Sequence, residues 1–210
     1  SSDLGLSMSI RIGLCTAGIS ACIALALGIM SAVLGSRVDA VISFLIDTIM
    51  GIPHILLLIL VSFAFGKGFK GVVLGVALTH WTSLARLIRG EVMQLRESEY
   101  IQIAGKLGLG KWEIAKKHIV PHVLPQFIVG LVLLFPHAIL HESSITFLGF
   151  GLSTEQPAIG VILSESMRYL IMGKWWLAVF PGMMLVLTVV LFEKGGTALR
   201  QLLDPGSVHK

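Results

Sequence analysis

Residues 99–121 read Glu99-Tyr100-Ile101-Gln102-Ile103-Ala104-Gly105-Lys106-Leu107-Gly108, then nine residues, then His118-Ile119-Val120-Pro121. They lie in a polar stretch, Arg96 to Val120, that also holds Glu97, Lys111, Glu113, Lys116 and Lys117. The stretch has room for two short helices separated by Gly108-Leu109-Gly110. Its importance comes from what surrounds it, because on both sides the chain turns strongly apolar.

Ile10 to Leu34 is apolar except for Arg11 and small polar residues, long enough for the roughly 20-residue helix that crosses a bilayer. Ala40 to Phe65 makes a second span, interrupted by Asp47 and Pro53, and Val72 to Ile88 a third. Beyond the polar stretch, Pro121 to Phe150 reads as a fourth span, Gly151 to Lys174 as a loop, and Trp175 to Phe192 as a fifth span. Composition agrees. Of 210 residues, 55% are apolar and only 13% charged, with a mean hydropathy of +0.88. About a quarter of a soluble domain is charged, so too little polar surface is present to coat a water-soluble particle. The predicted fold class is all-α, a polytopic transmembrane helix bundle, and the 23 glycines suit close helix packing in lipid.

The net charge of +4 and a pI near 9.3 fit an excess of Lys and Arg on cytoplasmic loops. No Arg-rich arm or aromatic platform accompanies the basic residues, so nucleic acid is not an expected partner. The polar stretch carries four lysines beside Arg96, with Arg86 and Arg89 just before it, and the C-terminal tail adds Lys194, Arg200 and Lys210. Both are therefore expected in the cytoplasm. Counting back through three spans places residue 1 outside. No cleavable signal peptide is visible, so a further upstream span is implied and the chain reads as five spans of six. Cys15 and Cys22 lie two helical turns, about 10 Å, apart, too far for a disulfide.

The quoted stretch resembles the cytoplasmic signature of ABC-importer permeases, Glu-Ala-Ala, three residues, Gly, nine residues, Ile-x-Leu-Pro. It is most similar to the dipeptide/oligopeptide/nickel branch, whose version runs Glu-Tyr-Val-x-Ala-Ala-x-x-Leu-Gly-Ala and then Arg-His-Ile-Leu-Pro. Ala104, Gly108 and Pro121 match, whereas Gln102 and Ile103 depart from Glu and Ala. Three further segments resemble the same branch in the same order. They are Trp81 to Arg89, Ser144-Ile145-Thr146-Phe147-Leu148-Gly149-Phe150-Gly151-Leu152, and the closing Leu199-Arg200-x-x-Leu203-Asp204-Pro205.

The resemblance implies a type I importer permease fold, with an extracytoplasmic loop at about 151–174 and a cytoplasmic coupling loop at about 96–120. Glu99, Tyr100, Ile101, Ala104, Gly105, Leu107, Gly108 and Pro121 would carry the coupling. Ala104, Gly105 and Gly108 are expected to keep one side slim for docking, with Tyr100 and Leu107 as apolar anchors. Implied partners are a homologous second permease subunit, two ATPase subunits, an extracytoplasmic substrate-binding protein and the lipid membrane. The chain contains no Gly-x-x-x-x-Gly-Lys-Ser/Thr phosphate loop. No cofactor is expected in this chain, and ATP and Mg would be bound by the partner subunits.

Ionisable residues inside a membrane are costly and point to function. Asp47, His54 directly after Pro53, and the set His137, His141 and Glu142 are candidates for the substrate path. His137 and His141 are four apart and share a helix face, a spacing that can hold a divalent metal between two imidazoles, or simply pack against a neighbouring helix. Nickel permeases of the branch resemble this His-x-x-x-His before Phe-Leu-Gly. The expected cargo is nickel or a metal chelate, with di- and oligopeptides as the other class. His80 is expected at the interface rather than as a ligand, and His118 and His122 within the coupling region. An ATP-independent channel or secondary transporter is the alternative, but no inverted repeat is visible. An intramembrane metalloprotease would need Glu directly after the first histidine, where Ala138 stands.

Overall fold

A computed structural model describes residues 2–203, and Asp204 and Pro205 of the closing motif lie outside them. The described residues are mostly helical, with no strand among them. Helix α1 spans Ser2–Val33, α2 Ser36–Gly51, α3 His54–Ala64 and α4 Phe69–Arg96. Two short helices follow, α5 at Glu99–Lys106 and α6 at Lys111–Ile114, then α7 at Val120–Phe147, α8 at Ile159–Leu170 and α9 at Trp176–Leu203. Four continuous helical stretches are long and apolar enough to cross a membrane, and the α2–α3 pair adds a fifth if counted as one bent span.

Two features differ from the sequence-based expectation. The span expected over Ala40 to Phe65 is broken, and α2 and α3 meet at 101°. Proline at position 53 has no N–H and disfavours helical backbone in the residue before it. Ile52 accordingly adopts an extended conformation (φ −88°, ψ 138°) and the helix restarts at His54. The second difference is α8, a 12-residue helix within the stretch expected to be a loop. Its close seat on α7 depends on Gly160, where an added Cβ would lie 2.7 Å from the Ser143 carbonyl oxygen.

The core lies between α1, α4 and α7. Ala17, Ala21 and Ala24 of α1 pack with Leu84, Ala85 and Ile88 of α4 and with Leu134, Phe135 and Ile139 of α7. Small residues on α1 let the backbones approach closely, which is how helices associate where surrounding lipid offers no hydrophobic gain. Outward faces of α2, α3 and α9 remain apolar and uncovered, including Phe44, Leu60, Phe63, Phe180, Met183 and Leu187. Two ion pairs tie α2 to α4, Arg89 with both carboxylate oxygens of Asp39 (2.5 and 2.8 Å) and Arg86 with Asp47.

Helix α7 starts through an irregular turn. Residues Ala115–Ile119 form a π-helical segment closed by the Val120 N–H donating to the Ala115 carbonyl. Pro121, which lacks an N–H and crowds the preceding turn, follows immediately, so a widened turn accommodates it without ending the helix. The second short helix is therefore not free-standing, since α6 runs through this segment directly into the long α7 stretch.

Candidate functional site

The first candidate site is the knob made by α5 and α6. Glu99 opens α5 after Ser98, which has the extended backbone of a helix N-cap. The helix ends on Gly108 in the left-handed region (φ +93°). Gly108 N–H donates to the Gly105 carbonyl (3.1 Å) and Leu109 N–H to the Ala104 carbonyl (3.2 Å). This pair of bonds is a Schellman closure, in which the residue after the cap needs glycine's conformational freedom. The glycine of the signature thus turns the chain sharply between the two short helices.

The knob has two faces. Ile101 is buried in the same cluster as Leu95 of α4, Ala115 and Ile119 of the π-helical turn and Val123 of α7. Ala104 is buried as well, so it belongs to the inner face rather than to the slim docking side expected from the sequence. The Tyr100 ring lies 6.0 Å from His118, linking α5 to the base of α7. Tyr100, Ile103, Leu107 and Trp112 point away from the bundle, and Leu107 is 78% exposed. A short amphipathic helix is bolted by one side to the ends of two long helices and offers bulky apolar side chains on the other. The knob is thus anchored through Ile101 to α4 and the base of α7, and its other side is an exposed apolar face. Gly105 and the polar Glu99 lie on its exposed side.

The second candidate site is a pocket of about 420 Å³ at the α2–α3 break. Four histidines line it, His54 from α3, His80 from α4, and His137 and His141 from α7. The rings of His54, His80 and His141 form a nearly equilateral triangle, with centroids 4.8, 4.5 and 4.7 Å apart. Thr79, Thr82 and Ser83 complete the polar wall, while Ile49, Ile52 and Leu134 close the apolar side. His54 reaches this point because the chain bends at Pro53 and places the first residue of α3 against α4. His80, expected at the interface, is instead 8% exposed in mid-helix. It lies about 16 Å along α4 from Phe69 at 1.5 Å per residue.

The structure thus brings together His54, His137 and His141 of the expected path residues and adds His80. It does not bring in Asp47 or Glu142. Asp47 pairs with Arg86 on the outer surface between α2 and α4. Glu142 is fully buried among α1, α7 and α8 and is not part of the pocket wall. Ser9 Oγ (2.9 Å) and Ser143 Oγ (3.3 Å) donate to its Oε2, and Thr146 Oγ1 donates to Oε1 (3.1 Å). Ser9 in turn accepts from the Ile159 N–H and Thr146 from the Leu152 N–H, so the network holds the start of α8 and the turn before it. That geometry ties α1, α7 and the start of α8 through Glu142, which lies outside the histidine pocket. His122, expected in the coupling region, lies beside Pro121, Pro125, Glu91 and Arg200 at the start of α7.

The described residues thus form a bundle of membrane-length helices with a partly buried knob at one end. Residues 24–207 match the family described as binding-protein-dependent transport system inner membrane component, and the chain belongs to that family. It is similar to the dipeptide transport system permease protein DppC of Bacillus subtilis, 29% identical over 96% of this chain and 63% of that protein. It is also similar to the probable D,D-dipeptide transport system permease protein DdpC of Escherichia coli, 32% identical over 96% of this chain and 67% of that one. The chain therefore spans about two thirds of the length of these relatives. Among solved structures, a chain of the inward-facing MetNI methionine ABC transporter superposes with a TM-score of 0.77 at 15% identity, covering 95% of this chain and 94% of that one. That likeness bears on the fold, which is the type I permease fold of ABC importers. The chain is a multi-pass membrane protein of this family.

Proposed function

We propose that this chain forms one half of the translocation path of a binding-protein-dependent importer, with a homologous permease chain as the other half. The observation that carries this reading is the α5–α6 knob. Its inner face is fixed to α4 and α7 by Ile101, and its outer face presents Tyr100, Ile103, Leu107 and Trp112. Two ATPase subunits, holding ATP and Mg, receive that face from the cytoplasmic side, and their closure moves α4 and α7 as a unit. The chain hydrolyses nothing itself, in keeping with the absence of a phosphate loop from its sequence. The C-terminus lies on the cytoplasmic side with the knob, supported by the lysines of residues 96–120 and by Lys194 and Arg200. Uncovered apolar faces on α2, α3 and α9 suit lipid and the second permease chain, and an extracytoplasmic binding protein delivers cargo at the opposite end.

Short peptides are the cargo supported by the names of the relatives. A second reading, nickel or a metal chelate, is favoured by the histidine-lined pocket. A photo-crosslinking residue placed at position 107 tests the docking. In membranes holding the whole transporter it should capture an ATPase subunit, whereas one placed at Phe63 should not. Capture of no ATPase from position 107 in an active transporter would contradict the docking face.

A further inference from the structure

The histidine pocket contains more than the two-histidine helix face visible in the sequence. The side-chain nitrogens of His54, His80 and His141 that face one another all lie within 4.8 Å. Two buried ring nitrogens, His54 Nε2 and His80 Nδ1, have no hydrogen-bond partner among the described residues. Histidine rings packed only for structure normally satisfy their buried nitrogens, because leaving a buried polar atom unpaired is costly. Three imidazoles from three different helices, two with idle nitrogens, converge on one point.

We infer that His54, His80 and His141 form a binding site for a divalent transition-metal cation of the Ni²⁺ or Zn²⁺ type, carried as cargo through the pocket. This deepens the reading of the chain as a permease half and rests on it. Imidazole is the ligand of choice for these borderline ions, and three such ligands leave coordination positions open for water or a chelating molecule. Metal–nitrogen bonds of 2.0–2.1 Å would set nitrogens about 3.3–3.6 Å apart around one ion. The triangle is slightly wider than that, so the rings must close inward by about an ångström as the ion enters. A site that needs such closure holds its ion weakly, as a transport path requires.

The chain path adds a reason for release. His54 is the first residue of α3 and lies beyond the Pro53 break, whereas His80 and His141 stand on the long helices α4 and α7. Motion of α3 relative to those two opens the triangle and removes one ligand in three. His137 lines the same pocket one turn from His141 and is placed to receive an ion leaving the triangle. Helix α2 ends at Gly51, which frees its last carbonyl groups, and Ile49, Met50 and Ile52 of that end line the pocket. The negative end of the α2 dipole thus faces a cation site.

Ni²⁺ binding to the assembled transporter, purified without a polyhistidine tag and without its binding protein, tests the site. Co²⁺ serves as the spectroscopic probe of nitrogen ligation. The expected result is saturable Ni²⁺ binding and a Co²⁺ visible spectrum of low-coordinate nitrogen ligation. His54→Gln, His80→Gln and His141→Gln should each weaken binding about tenfold or more, while His122→Gln, outside the pocket, leaves it unchanged. Because the three substitutions lie on different helices, a variant that fails to assemble leaves two others to decide. Absence of saturable binding to the intact transporter, or binding that survives in every assembled variant, would overturn the site. ATP-driven peptide uptake without Ni²⁺ binding would overturn the metal site alone, leaving the permease reading intact. Absence of ATP-driven uptake of either cargo would overturn the permease reading itself.

Discussion

Leu107→Asp abolishes ATP-driven transport while leaving this chain folded. Leu107 is 78% exposed at the tip of α5, so a carboxylate there meets water in the isolated chain and disturbs no internal packing. In the proposed docking the same side chain would be buried against an ATPase subunit, where an unpaired charge is costly to bury. Loss of an anchor of this kind costs about 2 kcal/mol or more, roughly 30-fold in docking. The measurement is uptake together with the ATPase that co-purifies with the permease. Ile101→Ala offers the contrast. Ile101 is buried between α4 and the π-helical turn, so its truncation loosens the knob itself and lowers the thermal stability of the chain, by about 2–5 kcal/mol for such a cavity. A Leu107→Asp transporter with full uptake would mean that the docking face lies elsewhere on the knob.

The second large effect concerns Glu142. Glu142→Ala removes the acceptor shared by Ser9, Ser143 and Thr146, leaving three hydroxyl groups to find other partners in a fully buried place. Each such orphaned group costs about 1–3 kcal/mol, and the ties between α1, α7 and the start of α8 loosen together. The expected result is a marked drop in the unfolding midpoint of the detergent-solubilised protein. Glu142→Gln, which keeps one oxygen acceptor, should fall between wild type and Glu142→Ala. An Ala variant of unchanged stability that nevertheless loses transport would return Glu142 to the cargo path.

Much of this architecture is legible in the sequence because hydropathy over a span of membrane length is a strong, local signal. The knob is legible too, since Gly108, Pro121 and the lysines between them mark a polar interruption with fixed spacing. The broken second span is less so. Pro53 marks the place, but proline bends membrane helices by varying amounts, and only the packing of α3 against α4 decides on a turn of 101°. Helix α8 was obscured by its own composition. Ser164, Glu165, Ser166 and Arg168 give it loop-like polarity, while Ile159, Ile162, Leu163 and Leu170 carry the amphipathic pattern.

The histidines show where local reasoning ends. Spacing along one helix pairs His141 with His137, four residues away, and both do reach the pocket. The ring neighbours of His141 are His54 and His80, which lie far apart in sequence and meet only through tertiary packing. Ala104 teaches the same lesson at smaller scale. A small residue in a signature suits either face of a helix, and the buried position of Ile101 three residues earlier sets it on the inner one.

The central claim is that this chain conducts cargo only as half of an ATP-driven path. Its most direct test is uptake of a labelled dipeptide and of labelled Ni²⁺ into proteoliposomes. They would hold this chain, the second permease chain and the ATPase subunits, with the binding protein inside or outside. The account predicts uptake that needs ATP on the face where the knob lies, the binding protein on the other face, and both permease chains. Uptake by this chain alone without ATP would contradict it and identify a channel or secondary transporter instead.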